Sequence, residues 1–187
     1  GYMLKRVFDI VVSAVALVLL APILLVLGLA VALSSPGGAL FLQTRVGRAG
    51  KEFRLLKFRT MRPGSEAAGQ ITIGGHDPRI TSIGYFLRKS KLDELPQLFN
   101  VLLGHMSIVG PRPEVPKYVA LYTSEQRLVL NVRPGITSAA SIAYMDENAV
   151  LGRSTDPNRT YVEEVMPAKL ALDLDYVCHH SFILDLR

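Results

Sequence analysis

The chain has 187 residues, a formal net charge of +5, 49% hydrophobic residues, few aromatics and no tryptophan. It is both basic (pI near 9.5) and net hydrophobic (mean hydropathy +0.28), which sets aside an ordinary soluble enzyme and points to a membrane surface, an anionic substrate, or both. The length suits one domain with an appendage. One cysteine, Cys178, excludes an internal disulfide and a cysteine-built zinc site. On the reducing side of a membrane the sequon-like Asn158-Arg159-Thr160 carries no meaning. So few aromatics leave little for a base-stacking nucleic-acid platform.

Residues 10–33 run without a charge, interrupted only by Ser13, Pro22 and Gly28. One helix of that length measures ~36 Å, against a hydrocarbon core of ~30 Å. A cleavable signal peptide fits poorly, because the run is too long and no small-residue cleavage site follows. Pro22 divides the run into halves of ~18 and ~16 Å, neither of which crosses alone. Both flanks are basic: Lys5 and Arg6 before, then Arg45, Arg48, Lys51, Arg54, Lys57, Arg59 and Arg62, with Glu52 the only acid in that stretch. Positive residues tend to stay cytoplasmic, so the charges favour both ends on one side. A kinked hairpin in one leaflet satisfies them, while a spanning helix with a tolerated proline kink stays open.

Ser34-Ser35-Pro36-Gly37-Gly38 is a break between anchor and remainder. Residues 39–43 and 53–58 read as short strands joined by a turn at 47–50, and 63–75 as a flexible polar loop in which Gly74-Gly75 is a turn. Asp77-Pro78 opens a turn before a helix at 83–87. Leu92, Leu95, Leu98, Phe99, Leu102 and Leu103 share one helical face. Pro96 is acceptable only in the first turn, which starts that helix near Leu92, and Gly104 ends it. Further helices are expected at 115–130, closed by Arg133-Pro134-Gly135, and at 162–177, with Pro167 starting or kinking the turn. The expected fold class is α+β, mostly helical, with few short strands.

The sharpest chemical group is Lys91-Leu92-Asp93-Glu94-Leu95-Pro96-Gln97. Adjacent carboxylates at a helix N-terminus meet a favourable dipole and free N–H groups. Neighbours lie about 100° apart around a helix, so one can bind Mg²⁺ or attack an electrophile while the other moves a proton or supports the first. Ordinary N-terminal capping uses the same residues. Lys57, Arg59, Arg79, Arg88, Arg112 and Arg133 follow as candidate anion ligands. An arginine between Pro111 and Pro113 has little backbone freedom, which suits a rigid phosphate contact. A solvated basic face against anionic lipid is the plainer reading for much of 45–62. His76, His105, His179 and His180 form no metal pattern, and no nucleotide-binding glycine loop or nucleophile elbow is present.

The stretch from Asp77 to Pro113 resembles the bacterial sugar transferase family, the monotopic phosphoglycosyl transferases of polyprenol-linked glycan assembly. It does so through Asp77-Pro78-Arg79-Ile80-Thr81, Gly84, Leu87-Arg88, Leu92-Asp93-Glu94-Leu95-Pro96-Gln97-Leu98, Asn100-Val101-Leu102, Gly104, Met106-Ser107 and Val109-Gly110-Pro111-Arg112-Pro113. Supporting matches are Lys5-Arg6 with Asp9, Arg45-Val46-Gly47, Lys57-Phe58-Arg59-Thr60-Met61, Arg133-Pro134-Gly135-Ile136-Thr137, and Asp173 followed by Tyr176, Ser181 and Asp185-Leu186.

The resemblance implies transfer of a phospho-sugar from a UDP-sugar to a polyprenol phosphate such as undecaprenyl phosphate, releasing UMP, as the first membrane step of bacterial polysaccharide or glycoconjugate assembly. Asp93 would be the nucleophile of a covalent aspartyl intermediate and the Mg²⁺ ligand, and Glu94 its partner in proton handling or metal support. Pro111, Arg112 and Pro113 would hold the nucleotide end, with Lys57, Arg59, Arg79, Arg88, Arg133 and Asp173 as further substrate contacts. It also implies a re-entrant membrane anchor at 1–36 and a catalytic domain with amphipathic interfacial helices at 37–187, on the cytoplasmic face of the bacterial inner membrane.

Competing classes are a non-catalytic module binding anionic lipid or nucleic acid through 45–62, and a metal-dependent phosphohydrolase on a spanning anchor. Departures from the family pattern are Ala21 where many members have Ser, His105 at a place usually held by Asp, and Ser138-Ala139-Ala140-Ser141-Ile142-Ala143-Tyr144 after Thr137. The stop soon after Asp185-Leu186 reads as a trimmed end, and Gly1 as an expression scar.

Overall fold

A computed structural model describes residues 2–69, 71–73 and 77–186; Gly74-Gly75 and His76 lie outside them. The apolar stretch is one helix, α1 (Tyr2–Ser34), about 50 Å long at the α-helical rise. It passes through Pro22 without a break, so the two half-length helices expected around that proline are a single element. A proline costs a helix one donor and some steric strain, which apolar helices absorb.

Much of α1 is bare, Val18, Leu19, Leu25 and Leu33 included, but both ends are tied to the body of the protein. Near the start, Arg6 donates to the Val101 and Leu102 carbonyls at 2.7 and 3.0 Å. Buried Asp9 accepts from the Ser107 hydroxyl at 2.8 Å and the Ile108 N–H at 3.1 Å. Lys5 bonds the Val109 carbonyl and pairs with Asp185. Near the far end, Val31 is fully buried with Phe58 and Leu87, flanked by Leu24 and Leu27.

Strands β1 (Leu40–Val46) and β2 (Glu52–Phe58) form the expected hairpin, antiparallel with Leu40 opposite Phe58 and Val46 opposite Glu52. Along the other edge of β2, Asn100 stands in for a strand: its Oδ1 accepts from Leu56 N–H at 2.9 Å and its Nδ2 donates to the Arg54 carbonyl at 2.8 Å. Helix α2 (Ser82–Ser90) is capped by Thr81, whose Oγ1 accepts from Gly84 N–H.

The single helix expected from Leu92 to Leu103 does not form. Lys91 turns left-handed (φ 59°) and ends α2, a 3₁₀ turn spans Leu92–Glu94, and only after Pro96 does α3 (Gln97–Leu102) begin. The bonds Glu94 N–H to Lys91, Leu95 N–H to Leu92 and Leu98 N–H to Leu95 all reach back three residues. Pro96 brings no N–H to an α-type ladder, and the tighter turn is what remains. The apolar row is also split: Leu98 and Val101 are buried, whereas Phe99, Leu102 and Leu103 are exposed.

The helix expected over 115–130 is likewise two pieces, α4 (Pro116–Val119) and a 3₁₀ segment, Gln126–Asn131. Between them Thr123 and Gln126 bond each other's backbone N–H reciprocally at 3.2 and 2.9 Å, a capping box that restarts the chain. Strand β3 (Ser107–Val109) pairs in parallel with β4 (Gly135–Thr137). Short helices α5 (Ala139–Ala143), α6 (Glu147–Gly152) and α7 (Pro157–Thr160) follow. A π turn, Tyr161–Val165, then leads into α8 (Met166–His179), with Pro167 in its first turn, and the last helix is α9 (Phe182–Asp185). The largest apolar cluster, including Val115, Tyr118, Leu151, Tyr161, Val165 and Leu170, packs α4, α6 and α8 together. The described chain is mostly helical with few short strands, as expected.

Candidate active site

The 3₁₀ turn places Asp93 and Glu94 on a cavity of about 670 Å³ that extends from the end of α1 to α8. Asp93 is 6% exposed, and its Oδ1 is buried with no hydrogen-bond partner among the described residues. Among the described residues its side chain caps no helix. Burial pushes its carboxyl up, against the nearby charge of Lys57. An orphaned carboxylate oxygen facing a cavity is a group waiting for an electrophile, a proton or a cation.

Glu94 is treated oppositely. Its Oε1 accepts from Arg112 at 2.7 Å and from Lys57 at 3.2 Å. Burial alone would raise it, but these two cations reverse the effect and hold it well below the usual carboxylate range. A carboxylate so firmly ionised fits a fixed counter-charge better than a proton carrier. Desolvation dominates for Lys57, lowering its ammonium to about 8 despite Glu94. Arg88, from α2, is steadied by Thr60 and Thr72 hydroxyls, each at 3.0 Å, with Asp93 the strongest opposing charge acting on it. Lys57, Arg88 and Arg112 therefore bring three cations from β2, α2 and the 110–113 loop around two adjacent carboxylates.

That loop is rigid for reasons beyond its prolines. Arg45 donates to the Pro113 carbonyl at 2.8 Å and pairs with Glu114 at 3.3 Å. Val46 N–H bonds the Glu114 carbonyl, and Glu114 also accepts from the Tyr161 hydroxyl. Gly110 and Gly135 cross backbone to backbone; a Cβ on Gly135 would lie 2.1 Å from Gly110 N. The fixed arginine at 112 thus rests on Arg45, Glu114 and Gly135. None of these stands out in the sequence as a site residue, although Arg45 and Gly135 lie within the matching motifs. Pro113 lines the cavity, while Pro111 faces away and accepts from Gly135 N–H.

Asp173, on α8, also lines the cavity; burial raises its carboxyl to about 7 and its Oδ1 has no partner among the described residues. Arg59 lines the end nearest α1. Two expected substrate contacts do not join them. Arg79 is spent on Asp77 and on the Ser65, Gly69 and Ile71 carbonyls, bracing the 65–73 loop. Arg133 donates to the Gly104 carbonyl and the Tyr2 hydroxyl, pinning the start of α1. Arg79 is held by the Asp77 carboxylate and three carbonyls, and Arg133 by one carbonyl and one hydroxyl.

Among the described residues no three His, Cys, Asp or Glu side chains gather as a metal cage. The free Asp93 oxygen does fit Mg²⁺, which keeps several waters and takes one or two carboxylates plus substrate phosphates. Of the basic run at 45–62, Arg45 and Lys57 are partly buried and Arg59 is buried, which leaves only Arg48, Lys51, Arg54 and Arg62 as a solvated face.

The site thus combines a buried carboxylate with the cations Lys57, Arg88 and Arg112, in a cavity that reaches the end of a bare apolar helix. The family profile described as bacterial sugar transferase matches residues 1–187, and the chain belongs to that family. It is 38% identical over 186 residues to the UDP-glucose:undecaprenyl-phosphate glucose-1-phosphate transferase of Caulobacter vibrioides, covering 98% of this chain and 66% of that protein. It is 41% identical over 191 residues to the exopolysaccharide production protein PSS of Rhizobium leguminosarum bv. phaseoli, covering 98% and 90%. With the UDP-N-acetylgalactosamine-undecaprenyl-phosphate N-acetylgalactosaminephosphotransferase of Aeromonas hydrophila it shares 36% identity over 186 residues, covering 98% and 41%. The chain thus spans just under two thirds of the Caulobacter protein's length and under half of the Aeromonas protein's.

Proposed function

We propose that this chain transfers a sugar 1-phosphate from a UDP-sugar to undecaprenyl phosphate at the cytoplasmic face of the bacterial inner membrane. The observation that carries the reading is Asp93: a buried carboxylate with an unpaired oxygen, inside a cavity framed by Lys57, Arg88 and Arg112. Asp93 attacks the phosphorus bearing the sugar; the P–O bond to the bridging oxygen breaks and UMP leaves. An oxygen of the lipid phosphate then attacks the same phosphorus, and the Asp93 carboxylate departs. Dividing the transfer this way lets a water-soluble donor and a lipid-bound acceptor use one site in turn.

The three cations offset the charge of the diphosphate, and Glu94 holds Arg112 and Lys57 in place between turnovers. Mg²⁺ would be held by Asp93 with substrate phosphate oxygens, supplying further neutralisation of phosphoryl charge. A re-entrant, monotopic α1 is supported by its two ends, which meet the same domain through Arg6 and Asp9 and through Val31. A helix crossing the bilayer would carry those two ends to opposite sides, and the basic flanks likewise favour one side.

The test is UMP release by the protein in lipid nanodiscs, given undecaprenyl phosphate, Mg²⁺ and a panel of UDP-sugars. Asp93→Asn is expected to lower the rate by about a thousandfold or more. Release by that variant at the wild-type rate contradicts the nucleophile assignment.

A further inference from the structure

Arg59 stands apart from the other cations of the cavity. It follows β2 directly and is 7% exposed. Its Nη2 donates to the Ser35 carbonyl at 2.6 Å, while Nε and Nη1 are buried with no hydrogen-bond partner among the described residues. Lys57 and Arg112 share Glu94, Arg45 has Glu114 and Arg79 has Asp77; among the described residues no carboxylate pairs with Arg59. A buried guanidinium without a counter-charge is costly unless an anion joins it.

Its place says which anion. Ser35 is the first residue after α1, and Phe58, next to Arg59, packs against Val31, Leu24 and Leu27 of that helix. Arg59 therefore sits where the apolar helix ends. Beside it the cavity wall carries Leu40 and Leu42, 49% and 46% exposed, an open apolar edge leading to a buried cation. The chain bends closely around the guanidinium: Gly37 has φ +111°, and a Cβ there would lie 2.4 Å from Nη1. Only glycine takes that backbone and leaves that room.

We infer that Arg59 binds the phosphate head of the lipid acceptor, while Lys57, Arg88 and Arg112 serve the donor diphosphate around Asp93. The inference rests on the transferase reading above and divides its site into two phosphate positions, one at the anchor end. In the second half-reaction an acceptor phosphate oxygen forms the new bond to phosphorus as the P–O bond to Asp93 breaks. The carboxylate leaves with the electron pair. A phosphate monoester dianion, whose second pKa is near 6, needs no base for this, only a cation to bring it up to a charged centre.

The experiment measures the two halves separately in the full chain in nanodiscs. UMP released in a single turnover without acceptor reads the donor half, with UDP-glucose or UDP-N-acetylgalactosamine as probes; transfer to added undecaprenyl phosphate reads the other. Arg59→Gln is expected to release UMP within threefold of wild type, while its acceptor KM rises at least tenfold. Arg59→Lys, which keeps charge but loses the fork, should fall between. An unchanged acceptor KM, or equal loss of both halves in a folded variant, overturns the assignment. Should Arg59→Gln lose its thermal transition, the KM split in Arg59→Lys decides.

A binding arm uses Asp93→Asn, whose turnover is expected to be about a thousandfold slower, and follows the thermal transition with undecaprenyl phosphate, inorganic phosphate or phosphatidylglycerol. Stabilisation by undecaprenyl phosphate that vanishes when Arg59→Gln is added supports the assignment. Equal stabilisation by phosphatidylglycerol or by inorganic phosphate overturns it in favour of a general headgroup or free-phosphate site. If the wild type releases no UMP from any UDP-sugar, the transferase reading fails, and this arm still decides whether Arg59 holds a lipid phosphate.

Discussion

Asp173 offers a measurable consequence of burial. Its carboxyl is 5% exposed on α8, and burial holds it at about 7 against the 3.8 of a free aspartate. The folded protein therefore binds this proton more tightly than the unfolded chain does. The resulting stability is fully present below the unfolded value and is lost progressively as pH rises toward the folded value, after which it stays lost. At ~1.4 kcal/mol per unit the whole loss is on the order of 4 kcal/mol. Asp173→Asn keeps the shape and removes the ionisation. Unfolding followed in nanodiscs at half-unit steps from pH 5 to 8 should show the variant gaining on wild type by ~1.4 kcal/mol per unit up to pH 7, then holding level. A difference that does not change with pH would refute the buried-acid account of Asp173.

Other consequences are as direct. In Gly84→Ala the new Cβ would lie 2.1 Å from the Thr60 carbonyl oxygen, so α2 must shift; a loss of ~1–3 kcal/mol or more is expected, read as a lowered unfolding midpoint. Asn100→Ala strips partners from Leu56 N–H and the Arg54 carbonyl at the β2 edge and should cost ~2–4 kcal/mol by the same measurement. Glu94→Gln removes the charge that supports the Lys57 ammonium, now at about 8. Lys57 should then lose its proton at lower pH, so the alkaline limb of UMP release moves down while the donor KM rises. An unmoved limb separates Lys57 from the rate.

Much of this architecture was legible because it rests on local rules. The β1–β2 hairpin shows in short alternating runs around a Gly47–Gly50 turn, and α8 in a helical pattern that Pro167 enters only at its first turn. Elements that depend on distant partners were not legible. β3 and β4 are three residues each, too short for any period, and they pair where Gly110 and Gly135 leave room for a close backbone approach. The helix over-read at 92–103 had the right apolar spacing, but Pro96 decides where an α-type ladder can start. The one expected at 115–130 was divided by a Thr-Ser-Glu-Gln capping box visible in the sequence at 123–126.

The site divides in the same way. Asp93, Glu94, Lys57, Arg88 and Arg112 line one cavity. Arg79 and Arg133 look no different in sequence, yet carbonyls of the 65–73 loop and Gly104 consume them. Arginines mark where acceptors are wanted; only the fold shows that Arg79 meets the protein's own carboxylate and carbonyls and Arg133 a carbonyl and a hydroxyl.

The central claim is that Asp93 carries the phospho-sugar between two substrates. Intact-mass measurement after mixing the nanodisc protein with UDP-sugar and Mg²⁺, without acceptor, tests it most directly. The account predicts an adduct of one sugar phosphate, mapped to Asp93, formed with one equivalent of UMP and discharged on adding undecaprenyl phosphate. Turnover with no adduct at any time, or an adduct that persists in Asp93→Asn, would contradict it.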